Sequence, residues 1–340
     1  MLAVNAPSTP LRQRSDSTPL VSIVMIFLNG ERFIDEAVRS VLAQTCSAWE
    51  LLFVDDGSTD QSAAIARRYV AEYPSKIRYL HHAGHENRGM SASRNLGIRS
   101  SRGRFLALLD CDDVWHPEKL ARQVAILEQQ PEAAMVYSAT LQWFTWPGAP
   151  AGGRRDEPRP LGVKPDQLVR PPEMIPIFLR DIGNTPATCS VLMRREAVES
   201  VGAFEESFRG LHEDQAFFYK FFLRHPVFVQ SGCWDWYRQH PQSCCSAAEA
   251  AGISVRSPVN PSHGRFLEWV RAYLAATGVE DRRIRAALTY ARRPFRHPRG
   301  YQLAQTYVAG RRHVLRVLLS LARRLLPSTA YTRLRARTVR

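Results

Sequence analysis

The sequence of 340 residues predicts an α/β fold in which a mostly parallel, doubly wound central sheet is flanked by helices. Short apolar runs, typical of strands buried on both faces, alternate with segments whose apolar residues recur at helical spacing. This alternation predicts parallel strands joined by right-handed crossovers. Polar clusters follow directly after several of the runs, and ligands in such sheets bind beyond the carboxyl ends of the strands.

The predicted elements follow in chain order from residue 20. They are a strand at 20–27, a helix at 34–42, a strand at 51–54, a helix ending at 73, a strand at 77–80, a helix at 91–99, and strands at 105–109 and 134–138. Ser58 or Thr59 is expected to cap the second helix, and Pro117 suits the first turn of the helix after the fourth strand. Residues 147–172 hold seven of the 22 prolines, which predicts a long irregular insertion.

The formal net charge of +14 is concentrated near the C-terminus. Residues 282–340 contain 16 Arg and no Lys, Asp or Glu, whereas residues 1–281 contain 30 basic and 32 acidic groups. A protein that reads a nucleic-acid duplex needs its positive charge on the folded reading surface, so nucleic-acid binding by the main body is not expected. A basic tail that binds nucleic acid or another anionic surface remains an alternative.

Composition also disfavours several other classes of protein. Hydrophobic residues make up 45% of the chain and charged residues 23%, as in a globular protein with a buried core. No run of 18 apolar residues predicts a transmembrane helix, and residues 1–20 lack the apolar region of a signal peptide. The six cysteines form no CxxC pair, so reduced thiols in a cytoplasmic protein are the expectation. No GxGxxG follows the first strand, which disfavours a dinucleotide oxidoreductase.

Two acidic clusters follow predicted strands. Asp110 and Asp112 can reach one hard cation, such as Mg²⁺ or Mn²⁺ bridged to phosphate, and a solvated turn that caps the next helix is the alternative. Asp55 and Asp56 can accept hydrogen bonds from a base or a ribose, or simply form a turn and a helix cap. Both clusters fall where the fold predicts a ligand.

A third acidic cluster, Glu213 and Asp214, precedes an aromatic helix at 217–222. A carboxylate there either interacts favourably with the helix dipole or acts as a general base within hydrogen-bond reach of the proton it removes. Arg238 and His240 follow another aromatic stretch and can contact a diphosphate or a metal. A structural role is the alternative for the histidine.

Taken together, these residues resemble the family 2 glycosyltransferases of the GT-A fold, over about residues 21–243. The segments that carry the resemblance stand in the family's order: 21–29, 54–60, 87–89 with 93–97, 109–113, 201–204 with 213–214, and 237–240 with 243. Each segment alone is weak evidence, whereas six in one order are specific for the family. Ile26 and Leu28 replace the usual Pro and Tyr of the first segment.

The resemblance implies a set of donor-binding residues. Asp55 or Asp56 is expected to hold the nucleobase, and Asn29 to lie at the nucleotide-sugar site. Arg94 is expected near the nucleotide or its phosphates, and Asp110 beside the ribose. The donor is expected to be a nucleotide-diphosphate sugar, with a UDP-sugar favoured.

The resemblance also implies the metal and acceptor residues. Asp112, with Asp110 and His240, is expected to bind a divalent metal, Mg²⁺ or Mn²⁺, on the diphosphate. Asp214 is expected to be the catalytic base, with Glu213 beside it touching the acceptor, a glycan or lipid-linked hydroxyl. The expected reaction inverts the anomeric centre. A catalytically inactive relative that binds nucleotide or glycan is the alternative.

The changes in composition along the chain, together with the resemblance, predict its division into domains. Residues 1–19 are expected to form a flexible tail and 20–245 a GT-A catalytic domain, with a nucleotide-sugar half up to residue 140 and an acceptor half at 141–245. Residues 246–340 are expected to form a helical, Arg-rich extension. The Gln-x-x-Arg-Trp signature of processive synthases is absent, which predicts transfer of single sugars.

The extension contains an amphipathic pattern at 311–326. At helical spacing, its Leu and Val residues share one arc and four of its five Arg residues share the opposite arc. This pattern predicts a helix that lies on an anionic membrane, although packing of the apolar face on the catalytic domain is a close alternative. Since no signal peptide is predicted, the protein is expected in the cytoplasm, and peripherally bound to the inner face of the membrane if this helix binds lipid.

Overall fold

The computed structural model describes residues 18–149, 154–253, 259–299 and 301. Ten strands are assigned within these residues: β1 Val21–Phe27, β2 Trp49–Asp55, β3 Ile77–His81, β4 Phe105–Asp110, β5 Val114–Trp115, β6 Met135–Trp143, β7 Glu157–Pro158, β8 Gln167–Val169, β9 Leu192–Arg194 and β10 Val227–Arg238. They form one sheet in the order β3-β2-β1-β4-β9-β6-β10-β5, with β7 on β6 and β8 on β10.

The described helices alternate with these strands and then continue beyond them. They are α1 Ile34–Leu42, α2 Ser62–Glu72, α3 Met90–Ser100, α4 Lys119–Gln129, α5 Met174–Leu179, α6 Arg195–Ser200, α7 Glu213–Arg224, α8 Cys244–Ala250, α9 Pro261–Ala276, α10 Arg282–Ala291 and α11 Arg293–Arg296. Short 3₁₀ turns lie at Ala83–His85 and Thr188–Ser190. The α/β class predicted from the sequence is confirmed.

Strand order places a topological switch at the centre of the sheet. Strands β3, β2, β1 and β4 are mutually parallel, and β1 lies between β2 and β4. The chain therefore runs outward from β1 through β2 to β3 and then returns to the other side of β1 as β4. Such a reversal of strand order opens a crevice beyond the carboxyl ends of β1 and β4. Ile26 pairs in register with Asp110, so the end of the first strand and residues 110–113, called the DxD segment below, share this crevice.

The second half of the sheet is more mixed than the predicted, mostly parallel arrangement. Strand β10 is parallel to β6, but β9 runs antiparallel to both β4 and β6. Strands β5, β7 and β8 also pair antiparallel with their neighbours. Two of these short strands, β7 and β8, lie inside the insertion predicted at 147–172.

The core forms around the parallel strands. Every residue of β1 and β2 is buried, as is β4 as far as Leu109. Helix α3 packs closely on this layer because Gly97 has no side chain: a Cβ atom there would lie 2.3 Å from Cγ1 of Val24. The close approach brings the residues of α3 over the ends of the strands.

The predicted cap of α2 is wrong. Neither Ser58 nor Thr59 caps the helix. Both form hydrogen bonds with Asn29 in the loop after β1: Ser58 Oγ accepts from its backbone N–H, and the N–H of Thr59 donates to its Oδ1. The Oδ1 atom of Asp60 instead accepts a hydrogen bond from the backbone N–H of Ser62, at 2.9 Å. Pro117 likewise lies before α4, which begins at Lys119.

The described chain separates into two compact units, divided after Ala247. The first contains the sheet. In the described part of the second, α9 and α10 bury Phe266, Leu267, Val270, Leu274, Ile284, Ala287 and Leu288. No described helix combines the length and apolar character needed to cross a membrane. The segment 311–326 lies outside the described residues.

Candidate active site

The loops that follow β1 and β2 are bound to each other at the switch point. The Oδ1 atom of Asn29 accepts a hydrogen bond from the backbone N–H of Thr59 at 2.8 Å, and its own N–H donates to Ser58 Oγ at 3.0 Å. Asn29 adopts φ 51°, a left-handed conformation that Asn tolerates better than most residues. Asn29 is exposed and at the predicted edge of the sheet, where its contacts hold the two loops together.

Two carboxylates at the carboxyl end of β2 are buried and bind protein groups. Asp55 accepts hydrogen bonds from the N–H of Ser58 at 2.8 Å and from the hydroxyl of Tyr79 at 2.6 Å. Burial, reinforced by this bond to Asp55, raises the pKa of Tyr79 and keeps its donating proton in place. Asp56 accepts from the N–H of Gly89 at 3.0 Å and from Ser93 Oγ at 2.9 Å. Both aspartates therefore shape the loop around the crevice, and their contact with a nucleobase remains a prediction.

Three consecutive residues of α3 connect the sequence segments that carry the family resemblance. Ser93 donates to Asp56, as described above. Asn95 pairs with the backbone of Phe204, which accepts at 3.0 Å and donates at 2.9 Å. Arg94, between them, lies over the ring of Phe204 at 5.3 Å. Helix α3 is thus the element that assembles the site.

Arg94 bridges two parts of the candidate site, the end of β4 and the start of α7. Its guanidinium donates to both oxygens of Asp110, at 2.8 and 3.1 Å, and Nη1 lies 2.7 Å from Oε1 of Glu213. The side chain is 2% exposed. Burial alone would lower the pKa of Arg94, but the two carboxylates have the larger combined effect and raise that pKa. Its described contacts hold carboxylates in place, and a direct contact with phosphate remains a prediction.

The structure adds Thr188 to the residues predicted from the sequence. Its hydroxyl donates to Oδ2 of Asp110 at 2.9 Å, so Asp110 is held by Arg94 on one side and by Thr188 on the other. Thr188 lies in an isolated 3₁₀ turn between the insertion and β9. No local pattern marks it in the sequence, because its role depends on strand order.

Glu213 and Asp214 open helix α7 and occupy different environments. Glu213 is 5% exposed, and among the described residues its Oε2 atom has no hydrogen-bond partner. Burial raises the pKa of Glu213 to about 7, against the effect of Arg94 and with the help of Asp214. Asp214 is only half-buried, and its Oδ1 accepts from the N–H of Gln215 at 2.7 Å. Asp214 is therefore the more accessible of the two carboxylates.

Asp112 and His240 form the part of the site suited to a metal. Oδ2 of Asp112 lies 2.9 Å from Nε2 of His240. No three His, Cys, Asp or Glu side chains converge on one point within the described ranges, so Asp110, Asp112 and His240 are not a preformed three-ligand site. Both oxygens of Asp110 already accept hydrogen bonds, from Arg94 and from Thr188. A carboxylate and an imidazole fit a divalent cation that takes its remaining ligands from a diphosphate and water.

The fold and this arrangement define an α/β protein whose charged side chains converge at the strand ends. The chain belongs to glycosyl transferase family 2: the sequence model of that family matches residues 22–202. It is 29% identical over 220 residues to the uncharacterized glycosyltransferase RP339 of Rickettsia prowazekii, covering 63% of this chain and 64% of that protein. It is 35% identical over 126 residues to the putative glycosyltransferase EpsE of Bacillus subtilis, covering 37% of this chain and 45% of EpsE.

Solved structures confirm the predicted GT-A fold. TarS 1–349 of S. aureus, in complex with UDP-GlcNAc, aligns with a TM-score of 0.59 at 18% identity, over 83% of this chain and 75% of that chain. The mannosyltransferase PcManGT of Pyrobaculum calidifontis, in complex with GDP-Man and Mn²⁺, aligns with a TM-score of 0.55 at 16% identity, over 97% of this chain and 83% of that chain.

Proposed function

We propose that this protein transfers a single sugar from a nucleotide-diphosphate sugar to an acceptor hydroxyl, with inversion and with the help of a divalent metal. The observation that carries the proposal is the Arg94 bridge. It joins Asp110, at the end of a central strand, to Glu213, beside the proposed base Asp214. A donor bound at the strand ends and an acceptor at α7 would therefore meet in one site.

The donor side would bind and align the nucleotide sugar. Asp110 would accept a hydrogen bond from the ribose, and the loops held by Asn29, Asp55 and Asp56 would enclose the nucleobase. Asp112 and His240 would hold Mg²⁺ or Mn²⁺, which would neutralise charge on the leaving diphosphate. Solved structures of the same fold bind UDP-GlcNAc, or GDP-Man with Mn²⁺, which supports a nucleotide-sugar donor and a metal. A UDP-sugar is the expected donor.

The acceptor side would activate the attacking hydroxyl. Asp214, half-buried at the start of α7, would take the proton as the new bond forms. Glu213 would use its unpartnered Oε2 to contact the acceptor while Oε1 stays with Arg94. Attack from the face opposite the leaving group would invert the anomeric centre, so alignment is the main contribution of the protein and no covalent intermediate is needed.

A thermal-shift screen of nucleotide sugars, with and without Mn²⁺, tests the donor assignment. A ligand that binds only the folded protein must raise its apparent stability, by about 2.7 kcal/mol at a hundred times its dissociation constant. We expect one nucleotide sugar to raise Tm, and to raise it further with Mn²⁺. If no nucleotide sugar shifts Tm under either condition, the donor proposal is wrong.

The Arg-rich segment 311–326 would bring the protein to an anionic membrane that carries a lipid-linked acceptor. Its sequence pattern supports this proposal, with Val and Leu on one arc and Arg312, Arg316, Arg323 and Arg324 on the other. The full chain should co-sediment with liposomes rich in anionic lipid, and a variant with these four Arg residues changed to Gln should stay largely in the supernatant. Equal pelleting of the two proteins would exclude the segment as the membrane contact.

A further inference from the structure

Arg238, for which the sequence predicts contact with a diphosphate or a metal, lies directly behind the proposed metal pair, and its described contacts are with protein groups. Its side chain is 1% exposed, and its guanidinium carbon lies over three aromatic rings. The distances to the ring centres are 5.1 Å for Phe33, 4.6 Å for Trp143 and 5.0 Å for Trp146. We call Arg238 and these three aromatic residues the Arg238 box.

The box is attached to the DxD segment by two hydrogen bonds. Nε of Arg238 donates to the backbone carbonyl of Asp112 at 2.7 Å, and the backbone N–H of Arg238 donates to Oδ1 of Asp113 at 3.0 Å. His240, two residues after β10, contacts Asp112 as well, so Arg238 and His240 together contact this segment at three points. Arg238 therefore contacts the backbone that carries the Asp112 carboxylate.

The box also orients the second proposed ligand. The ring of Phe33 packs against the imidazole of His240, with 4.5 Å between their centres, and it also contacts Arg238. Trp146 donates from Nε1 to the carbonyl of Gln239 at 2.9 Å, which fixes the backbone between Arg238 and His240. One cluster thus supports both Asp112 and His240.

Glu36 completes the cluster from helix α1. Nη2 of Arg238 donates to its Oε2 at 2.6 Å, and the Glu36 side chain is 47% exposed. The guanidinium therefore spans Glu36 and the Asp112 carbonyl while it lies among the aromatic rings. Lys lacks the planar fork needed to make these contacts together.

We propose that Arg238, through its aromatic box and Glu36, is the positioning residue that holds Asp112 and His240 in the geometry for a divalent metal on a nucleoside diphosphate. The inference rests on the proposed metal site. Groups that support metal ligands change metal affinity by about 10- to 100-fold when they are replaced. The Arg238 box would act in this way without contacting the metal or the substrate.

The test is titration of Mn²⁺, followed by electron paramagnetic resonance of the free ion, with UDP and with GDP in parallel. We expect Arg238→Lys to weaken Mn²⁺ binding about tenfold, and Glu36→Gln to weaken it less but in the same direction. In transfer assays the Mn²⁺ requirement and the donor KM should rise while the acceptor KM stays the same. A loss caused by general unfolding would not separate these quantities.

Arg122→Lys is the matched control. Arg122 also pairs with a glutamate, Glu118 at 2.6 Å, and lies over an aromatic ring, Trp234 at 4.4 Å, and none of its described contacts is to Asp112. The Arg122→Lys protein should bind Mn²⁺ with the same affinity as the wild type.

Each outcome decides a different point. If the wild type does not bind Mn²⁺ with either nucleotide, the proposed metal site fails and this inference fails with it. If the wild type binds Mn²⁺ but a folded Arg238→Lys binds it equally well, only the positioning role is wrong. If Arg238→Lys does not fold, unchanged Mn²⁺ affinity in Glu36→Gln overturns the positioning role.

Discussion

Replacing Asp214 by Asn should abolish sugar transfer while donor binding survives. Asn keeps the shape of the side chain and a polar oxygen at the start of α7 but cannot take a proton from the acceptor. Loss of a general base lowers the rate by about 10²- to 10⁴-fold. Steady-state transfer with the donor found by thermal shift measures kcat, and calorimetry of the same donor measures its affinity.

Asp281→Asn provides the control for this prediction. Asp281 also stands at the start of a helix, where its Oδ1 accepts hydrogen bonds from the N–H groups of Arg283 and Ile284. Asn can form the same cap, so this variant should turn over normally. Normal turnover of Asp214→Asn as well would show that another group removes the proton.

Replacing Arg94 by Met should destabilise the fold and disable the site together. The change leaves Asp110 and Glu213 without their shared cation, and removing one partner of a buried ion pair costs about 3–5 kcal/mol. Urea unfolding should show this loss in the sheet-containing unit. Transfer should fall as well, because Asp110 and the start of α7 lose their common anchor.

The pH dependence of this loss follows from the pKa of Glu213. Burial raises that pKa to about 7, and Arg94 opposes the shift, so the variant should raise it further. At about pH 5 Glu213 is protonated with or without Arg94, and the pair contributes little. At about pH 8 the wild type holds an ionised Glu213 against Arg94, so the penalty of the substitution should be larger there.

Arg170→Met is the matched control for Arg94→Met. Arg170 also forms an ion pair, with Glu132 at 2.6 Å, but both side chains are 60% exposed. Exposed pairs contribute about 0–1 kcal/mol, so the free energy of unfolding should barely change. An equally small change in the free energy of unfolding for Arg94→Met would show that the Arg94 bridge does not stabilise the site.

The fold and the candidate residues were predictable because their signals are local. Strands β1, β2 and β4 are buried on both faces and read as continuous apolar runs. Asp55, Asp110 and Asp112 stand directly after such runs, where strand direction alone brings them to one edge of the sheet. Helix α1 was equally clear from its apolar period.

The contacts that assemble the site could not be predicted in this way. The partners Glu36 and Arg238 are separated by 202 residues, and Thr188 and Asp110 by 78. These pairs meet only because β9 and β10 insert beside β4 and β6, an order that no local pattern specifies. The mixed second half of the sheet was missed for the same reason: β5, β7, β8 and β9 have two or three residues each, too few to show a period.

Calorimetric titration of the selected nucleotide sugar into three proteins, with and without Mn²⁺, distinguishes the proposed role of Asp112 in donor binding from that of Asp214 at the acceptor. The wild type and Asp214→Asn should bind the donor with equal affinity, and Mn²⁺ should tighten both. Asp112→Asn should bind weakly and show no tightening by Mn²⁺. Wild-type affinity and full Mn²⁺ dependence in Asp112→Asn would contradict the account.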